Sequence, residues 1–232
     1  MLAAPCVTCQ VNFDGYIIEC GNRMPNISAQ KRRPPTFERI GGNLCLDFVN
    51  TLDNRPSDQP KELLSHYVDL VRFCEEAGAL TLSEANALIE LSPSQPETAR
   101  KVLERAIELR EALHAVFTAI IEKRKVPMGA MAIVNVRIQD AASEARLLPV
   151  NGRFEWDLSF PPTLSRVLRP IARAAGELLA SDQLPMVRTC LSPTCRWLFL
   201  DSSKNHRRRW CDMKSCGNRA KVRRFYARKK SA

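Results

Sequence analysis

The sequence predicts a mainly α-helical domain with a small β-hairpin, followed by a compact cysteine-rich module at the C-terminus. Three observations support this fold class: apolar residues recur at helical spacing between residues 44 and 179, an Asn-Gly pair separates two strand-like runs, and four cysteines cluster near the C-terminus. The chain has 232 residues, 45% hydrophobic and 26% charged, so it can bury one core of average size and carry a small second domain.

The first helix is predicted over residues 43–52. Leu44, Phe48 and Leu52 would share one face of this helix. The alternation of Leu44, Leu46 and Phe48 also fits a strand, and we favour the helix.

A second, amphipathic helix is predicted from the apolar spacing between Leu63 and Cys74, and Gly78 suits a left-handed cap at its C-terminal end. Two further helix starts are indicated by capping boxes, in which a hydroxyl and a carboxylate satisfy the free N–H groups of the first turn. These boxes pair Thr81 with Glu84 and Ser94 with Glu97.

The clearest helix is predicted over residues 96–125. Its apolar stripe recurs at steps of three and four residues and consists of Val102, Ala106, Leu109, Leu113, Val116 and Ile120. The composition of residues 128–148, rich in Ala, Met, Ile and Val, indicates one more helix.

A β-hairpin is predicted at Asn151-Gly152, because both residues tolerate the positive φ angles of a two-residue turn. The hairpin would join strands at residues 147–150 and 154–158. The last helix before the cysteines is expected over residues 163–179, with a kink at Pro170.

Three regions are therefore expected: a disordered leader over residues 1–39, a helical body over residues 40–183 and a finger over residues 184–232. The finger is expected to combine a short hairpin, with an apolar strand at residues 196–200, and a basic helix over residues 219–230. A module of this size has too little apolar core to fold alone, so its folding should be coupled to metal binding.

The leader contains Cys6, Cys9 and Cys20. A second metal site there would have three visible ligands, fewer than the four of a closed structural site. A disordered segment is the simpler interpretation, and Met24 as the true start of the protein is a further alternative.

Cys190, Cys195, Cys211 and Cys216 follow the spacing C-x4-C-x15-C-x4-C. Two close pairs separated by a loop can place four thiolates around one tetrahedral Zn²⁺, so we expect one structural zinc ion. A redox pair fits less well, since redox pairs use C-x-x-C spacing. Unligated core thiols fit less well because they do not occur in matched pairs. An iron–sulfur cluster ranks second to zinc. His206 lies between the two pairs and is either a substitute ligand or an exposed loop residue.

The finger is strongly basic. From Arg188 to Ala232 the chain has 14 Lys or Arg against 2 Asp or Glu, a formal charge of +12, whereas the whole chain carries +10. Clustered cations of this kind favour contact with phosphates over a merely solvated face. The residues expected to contact nucleic acid are Arg207, Arg208, Arg209, Lys214, Arg219, Lys221, Arg223, Arg224 and Arg228.

DNA is the expected partner, while RNA and an acidic protein surface are the alternatives. A basic helix can lie in a major groove or along phosphates, whereas aromatic residues that stack on unpaired bases would favour RNA or single-stranded DNA. Trp197, Phe199 and Trp210 are better explained as the small core around the metal, and Tyr226 is more open to contact.

Asp47, Asn50, Thr51 and Arg55 are the polar residues in and after the first helix. They could line a pocket for a small-molecule effector. They could also cap and pin the first helix, because Asp, Asn and Thr readily bond to nearby backbone groups. We favour the structural role.

Other function classes find little support in the sequence. The histidines occur in dissimilar contexts, without a glycine-rich phosphate loop or an H-E-x-x-H motif, so we do not expect an enzyme. No apolar run is long enough to span a membrane, and the N-terminal residues do not follow the secretory signal pattern. We therefore expect a cytoplasmic protein with reduced cysteines.

Two stretches of the sequence resemble known families. Gly-Gly-Asn-Leu at residues 41–44, followed by Leu-Asp-Phe-Val-Asn-Thr at residues 46–51, is similar to the opening motif of the ABATE domain. Trp-Cys-Asp-Met at residues 210–213 and Cys-Gly-Asn-Arg at residues 216–219 resemble the CGNR zinc finger that follows this domain in bacterial proteins. The resemblance implies a stress-responsive transcription regulator, with an all-helical N-terminal domain and a zinc finger that binds nucleic acid. It implies no particular ligand, target sequence or reaction.

Overall fold

The computed structural model describes residues 37–143, 146–157 and 163–230, with the backbone alone described at residue 146 and residues 155–157. The predicted leader lies outside the described residues up to residue 36, together with Cys6, Cys9, Cys20 and Met24. In the described part of the chain the helices are α1 (Leu44–Val49), α2 (Tyr67–Glu76), α3 (Leu82–Leu91), α4 (Pro96–Ile121), α5 (Met128–Ser143), α6 (Arg169–Leu179) and α7 (Asn218–Lys230). The strands are β1 (Leu52–Asp53), β2 (Lys61–Glu62), β3 (Arg146–Val150), β4 (Arg153–Asp157), β5 (Val187–Thr189) and β6 (Leu198–Leu200).

The body is built around α4. Its predicted stripe is buried from Val102 to Val116 and partly buried at Ile120, and Leu109, Leu113 and Phe117 are fully enclosed by the neighbouring helices. Val134 of α5 and Ile171 of α6 reach the same core. The apolar spacing of α4 therefore predicted the central packing element correctly.

The strands form three separate antiparallel pairs: β1 with β2, β3 with β4 and β5 with β6. The hairpin predicted at Asn151-Gly152 is confirmed, and its turn residues have φ angles of 50° and 77°. The β1–β2 pair was not predicted. It contains Leu52, so the expected placement of Leu52 on the first helix is wrong.

The first helix ends at Val49 because the chain changes direction at Asn50. The Asn50 side chain bonds to the backbone of Leu198, far away in the sequence, and the residues beyond it turn into β1. The second helix starts at Tyr67 rather than at Leu63, with the backbone N–H of His66 donating to the Asp69 carboxylate at 2.8 Å.

One of the two predicted capping boxes forms. The Glu84 N–H donates to the Thr81 hydroxyl at 3.2 Å, and the Thr81 N–H donates to the Glu84 carboxylate at 2.8 Å. The box at Ser94 does not form, because the Ser94 hydroxyl donates to the Leu91 carbonyl and Glu97 pairs with Arg100 on the helix surface.

Helix ends also differ from the prediction. Gly78 provides the expected left-handed cap of α2, with φ of 73°. The helix α4 ends at Ile121 rather than at residue 125, since Lys123 takes up a left-handed conformation and the Arg124 N–H bonds back to the Ala119 carbonyl.

The region of the last two body helices shows two further differences. The helix α5 ends at Ser143, before the predicted limit of residue 148, and the chain enters β3 at Arg146. Pro170 does not kink a helix, because a 3₁₀ segment, Leu164–Leu168, precedes α6 and places the proline in its first turn, where no N–H is required. No helix in the described residues is both long and apolar enough to cross a membrane.

Candidate metal centre and nucleic-acid interface

The finger hairpin presents the first cysteine pair. Val187–Thr189 and Leu198–Leu200 pair in antiparallel fashion, and the Cys190 N–H extends the ladder by donating to the Trp197 carbonyl at 2.8 Å. The Cys195 N–H closes a turn on the Ser192 carbonyl at 3.1 Å. The sulfurs of Cys190 and Cys195 are thereby directed to one side of the hairpin end.

The four cysteine sulfurs form one cluster. All four residues are buried, and their Sγ atoms lie within 4.8 Å of one another. The Cys195 Sγ is 3.6 Å from the Cys211 Sγ, and the Cys211 Sγ is 3.7 Å from the Cys216 Sγ. A tetrahedral zinc ion with Zn–S bonds of about 2.3 Å holds its sulfurs about 3.8 Å apart, so the cluster has the size of a zinc site.

The electrostatics of the cluster also fit a cation. Hydrogen bonds from the Cys195 and Cys211 thiols lower the pKa of Cys190 to about 2. The same sharing of protons with Cys190 raises the pKa of Cys195 and of Cys211. Closely spaced sulfurs that share protons in this way release them readily to a bound dication, because metal binding requires the thiolate form. The donor set and its spacing identify a site for one structural Zn²⁺.

Cys211 precedes one wide helical turn, Met213–Gly217, which contains Cys216 and leads into α7. The Asp212 carboxylate accepts the Ser215 N–H at 2.7 Å and caps this turn. The absence of a side chain at Gly217 lets Met213 pack closely, since a Cβ there would lie 2.7 Å from the Met213 Sδ and displace the end of that side chain. Arg219 then donates to the Cys216 Sγ at 3.0 Å. The Cys-Gly-Asn-Arg motif therefore closes the metal site and supports one of its sulfurs with a positive charge.

The aromatic residues of the hairpin form the finger core, as favoured from the sequence. Trp197 and Phe199 are buried beside the cysteines, and Trp210 packs on them while partly exposed. Phe225 and Tyr226 on α7 are exposed, with their ring centroids 5.6 Å apart. Base stacking, if it occurs, would therefore involve the α7 rings rather than Trp197.

The loop between the cysteine pairs is organised by Asp201. This fully buried carboxylate accepts hydrogen bonds from the Ser203 N–H, the Ser203 hydroxyl and the Arg208 N–H. The His206 ring nitrogen lies 2.9 Å from the Asp201 carbonyl oxygen. His206 is thus an exposed loop residue, the second of the two roles considered for it.

The residues predicted to contact nucleic acid fall into two groups. Arg208, Arg219 and Arg223 make contacts within the finger, to the Trp210 carbonyl, the Cys216 sulfur and the Ser192 hydroxyl respectively. The Arg208 guanidinium also lies 4.6 Å from the centre of the Phe199 ring. Arg219 and Arg223 are nevertheless exposed, as are the other six: Arg207, Arg209, Lys214, Lys221, Arg224 and Arg228. Of these six, Arg209 lies with its guanidinium 5.6 Å from the centre of the Trp210 ring. Their contact with nucleic acid stays a prediction, and structural contacts make Arg208 the weakest member of the set.

The four polar residues in and after the first helix, Asp47, Asn50, Thr51 and Arg55, all have partners within the protein. Asp47 accepts the Gly41 N–H at 2.7 Å, and its burial raises the pKa of the carboxyl to about 6. Asn50 exchanges two hydrogen bonds of 2.9 Å with the backbone of Leu198. The Thr51 hydroxyl donates to the Phe48 carbonyl at 2.7 Å. These contacts are those of the structural role that we favoured, and effector binding by these residues stays a prediction.

The fourth of these polar residues, Arg55, belongs to a charge network that sequence reasoning missed. Arg55 pairs with Glu111 at 2.6 Å, and the Nε atom of Arg110 donates to the same carboxylate. Arg110 is 2% exposed and forms a two-pronged pair with Glu62, at 2.6 and 2.7 Å. A lone Arg inside the apolar stripe of α4 was the only sequence signal for this network.

The finger is held directly on the body. The two Asn50 bonds fix the start of β6, and the Leu200 N–H donates to the Gly41 carbonyl at 2.7 Å. Val187 and Leu198 are buried in the same apolar core as the body helices. The hairpin of the finger is therefore part of the packing of the body, while the zinc cluster lies in a second, smaller core.

Comparison with known families agrees with this architecture. Residues 42–182 match the ABATE family, described as "putative stress-induced transcription regulator", and residues 186–229 match the CGNR zinc finger. A comparison with curated proteins finds no match. With a helical body, a four-cysteine zinc site and family matches that together extend from residue 42 to residue 229, the chain belongs to the ABATE family and carries a CGNR zinc finger.

Proposed function

We propose that this protein regulates transcription by binding DNA through exposed basic residues of its zinc finger. The observation that carries the proposal is the helix α7, which has seven Lys or Arg residues between Asn218 and Lys230, has no acidic residue and is exposed except at Ala220. Such a density of cations on one helix is typical of a surface that contacts the phosphates of a nucleic acid. The proposed role is binding, and no catalytic step is part of it.

The cations of α7 divide by helical position. Arg219 and Arg223 are four residues apart and contact the finger itself. Lys221, Arg224 and Arg228 follow each other at steps of three and four, so they share a different, exposed face. This outer face is the surface that we expect to contact the phosphates.

The body supports the proposal by fixing the direction of α7. The finger hairpin is bonded to Asn50 and Gly41, and its cysteine pair clusters with the second pair, which leads into α7. A helix held in one orientation loses less conformational freedom on binding than one on a flexible tether. The body can thus set how the basic face meets DNA.

The test is binding of the full-length, zinc-loaded protein to labelled duplex DNA at two salt concentrations. Replacing Lys221, Arg224 and Arg228 together by Gln should weaken binding to all sequences. It should also flatten the slope of log affinity against log salt by about 2 to 3, since each phosphate contact contributes about 0.9. A matched control replaces three exposed cations of α4, Arg100, Lys101 and Arg105, by Gln.

Equal losses in both triple variants would show that net charge alone drives binding. Unchanged affinity in the α7 variant would remove this face from the interface. Absence of binding to any nucleic acid in moderate salt would instead favour an acidic protein partner.

A second candidate function, binding of RNA or single-stranded DNA, is favoured by the exposed aromatic pair on α7. Phe225 is 55% and Tyr226 61% exposed, and the Lys229 ammonium lies 5.0 Å from the centre of the Phe225 ring. Exposed rings next to cations are suited to stacking on unpaired bases. A Tyr226→Ala variant that loses single-strand binding but keeps duplex binding would support this alternative.

A further inference from the structure

We propose that a cavity between the finger and the body binds one nucleotide. The cavity has a volume of about 730 Å³ and is lined by residues of the finger together with Glu38, Ile40 and Asp53. It is a groove open to solvent, and its volume lies within the range of small-molecule sites. It differs from the outer face of Lys221, Arg224 and Arg228, none of which lines it.

The lining combines both signs of charge from different parts of the chain. Lys214, Arg219 and Arg223 come from the finger, whereas Glu38 and Asp53 come from the body. A ligand that satisfies all of them needs an anionic group at one end and N–H donors at another. A nucleotide has this pattern, with a phosphate at one end and the N–H groups of a base at the other.

Apolar side chains also line the site. Ile40, Trp197 and Val222 line the same cavity, and Val222 is 53% exposed on α7. Within the described residues the Trp197 Nε1 is buried and has no hydrogen-bond partner. Trp197 is only 7% exposed, so the aliphatic side chains of Ile40 and Val222 are the surface that remains for the face of a planar base.

The zinc cluster decides which end of the ligand lies where. Three cysteines of the cluster line the cavity, and four thiolates on one Zn²⁺ have a formal charge of −2. A phosphate placed against the cluster would be repelled. The phosphate is therefore assigned to the exposed Lys214 and to Arg223, since Arg219 already donates to the Cys216 Sγ beside the cluster. The base is assigned to the apolar walls, where the Glu38 and Asp53 carboxylates accept its N–H groups.

Guanine matches this arrangement best among the bases, because its N1–H and N2–H groups are adjacent donors that one carboxylate can accept together. The nucleotide comes from one of two sources. It is either a free ligand or an unpaired nucleotide of a bound strand, and only the second source rests on the proposed nucleic-acid function.

The first experiment is calorimetric titration of the full-length, zinc-loaded protein with GMP, IMP and inorganic phosphate. GMP should bind with one-to-one stoichiometry, IMP several-fold more weakly because it lacks the N2 amine, and phosphate alone at least about tenfold more weakly. The double variant Glu38→Gln and Asp53→Asn should weaken GMP binding by about tenfold or more, as expected for lost charge-assisted hydrogen bonds. The matched control is Glu90→Gln on α3, and all variants must retain one zinc per chain.

A second experiment separates the two sources. Single-stranded oligonucleotides with and without one guanine are compared in wild type and in the double variant. If free GMP does not bind but the double variant loses the preference for guanine in the strand, the nucleotide belongs to the strand. If GMP does not bind and the preference is unchanged or absent, the proposal is wrong. If the α7 triple variant loses strand binding but still binds GMP, the cavity is a nucleotide site that does not depend on what the outer face of α7 binds.

Discussion

The body and the finger are stabilised by different kinds of contact. The body encloses a continuous apolar core in which Leu109, Leu113 and Phe117 of α4 are fully buried. The finger encloses mainly four cysteine sulfurs and the rings of Trp197 and Phe199. Apolar burial can support the body without a ligand, whereas the finger depends on a metal ion to hold its sulfurs together.

The two regions also differ in how they treat positive charge. In the body, the buried Arg110 is matched by Glu62 and Glu111. In the finger, the excess of Lys and Arg is presented on the surface of α7 and the connecting loop. The body thus pairs a buried positive charge with carboxylates, whereas the finger concentrates positive charge at its surface.

The largest effect is expected from breaking the metal site. Replacing Cys211 by Ser should abolish stoichiometric zinc binding and unfold the zinc-dependent part of the finger, because structural zinc contributes about 10 to 16 kcal/mol to small zinc domains. The measurement is the zinc content of the purified protein together with near-ultraviolet circular dichroism of its tryptophans. The matched control, Cys45→Ala in the body core, should retain one zinc ion; full zinc retention by Cys211→Ser would contradict the four-cysteine site.

The next effect tests the buried charges of the body. Replacing Glu62 by Ala removes the two-pronged partner of Arg110 and should lower the free energy of unfolding by about 3 to 5 kcal/mol, since a buried charge loses its main partner. Zinc content should not change. As a control, Glu104→Ala breaks an exposed pair with Arg100 and should change stability by less than about 1 kcal/mol. Similar losses at both sites would show that burial of Arg110 has no energetic consequence.

A smaller effect is expected at the contact between the two regions. Asn50→Ala leaves the N–H and carbonyl of Leu198 without the amide partner and should cost about 2 to 4 kcal/mol, with zinc retained. Urea unfolding followed by tryptophan fluorescence provides the measurement, with Asn86→Ala on α3 as an exposed control. If the finger were an independent module, the loss of the Asn50 bonds would leave its fluorescence and stability unchanged.

The smallest effect is the pH dependence set by Asp47. Burial raises the pKa of this carboxyl from 3.8 to about 6, so the folded state holds a proton that the unfolded state has already released. Its contribution to stability is fully present below pH 3.8 and is lost as the pH rises through about 6. Between pH 5 and pH 7 the change should be about 1 kcal/mol.

The measurement for Asp47 is a carbon-detected NMR titration of its carboxyl resonance, assigned by comparison with Asp47→Asn. The same comparison by urea unfolding should show that wild type loses stability relative to the variant as pH rises from 5 to 7. A titration midpoint near pH 4 would contradict the assigned shift. So would a wild type that gains stability relative to Asp47→Asn as the pH rises from 5 to 7.

Much of the fold could be predicted because its signals are local. The stripe on α4, the Asn-Gly turn and the Thr81–Glu84 capping box each depend on residues that are neighbours along the chain. A prediction from local spacing was wrong where a second local contact competes. Ser94 had the right spacing for a capping box, but its hydroxyl donates to the Leu91 carbonyl in the preceding turn instead of accepting the Glu97 N–H, and spacing alone does not decide between these two local bonds.

The candidate site divides in the same way. The cysteine spacing identified the zinc site, and composition identified the basic region. The roles of individual arginines could not be read from the sequence: Arg208 lies in the basic run but is engaged by the Trp210 carbonyl and the Phe199 ring. Composition counts charges, whereas only packing shows which charges already have a partner.

By itself, the sequence determined the zinc ligands, the excess of positive charge in the finger and the helical character of the body, because each is encoded by residue type and short spacing. Only the tertiary structure decided that the finger is fixed to the body, since Asn50 and Leu198 are 148 residues apart. It also brought Glu38 and Asp53 to the cavity beside the zinc cluster. Contacts over such separations form when the apolar core brings distant segments together, and no local pattern along the chain specifies them.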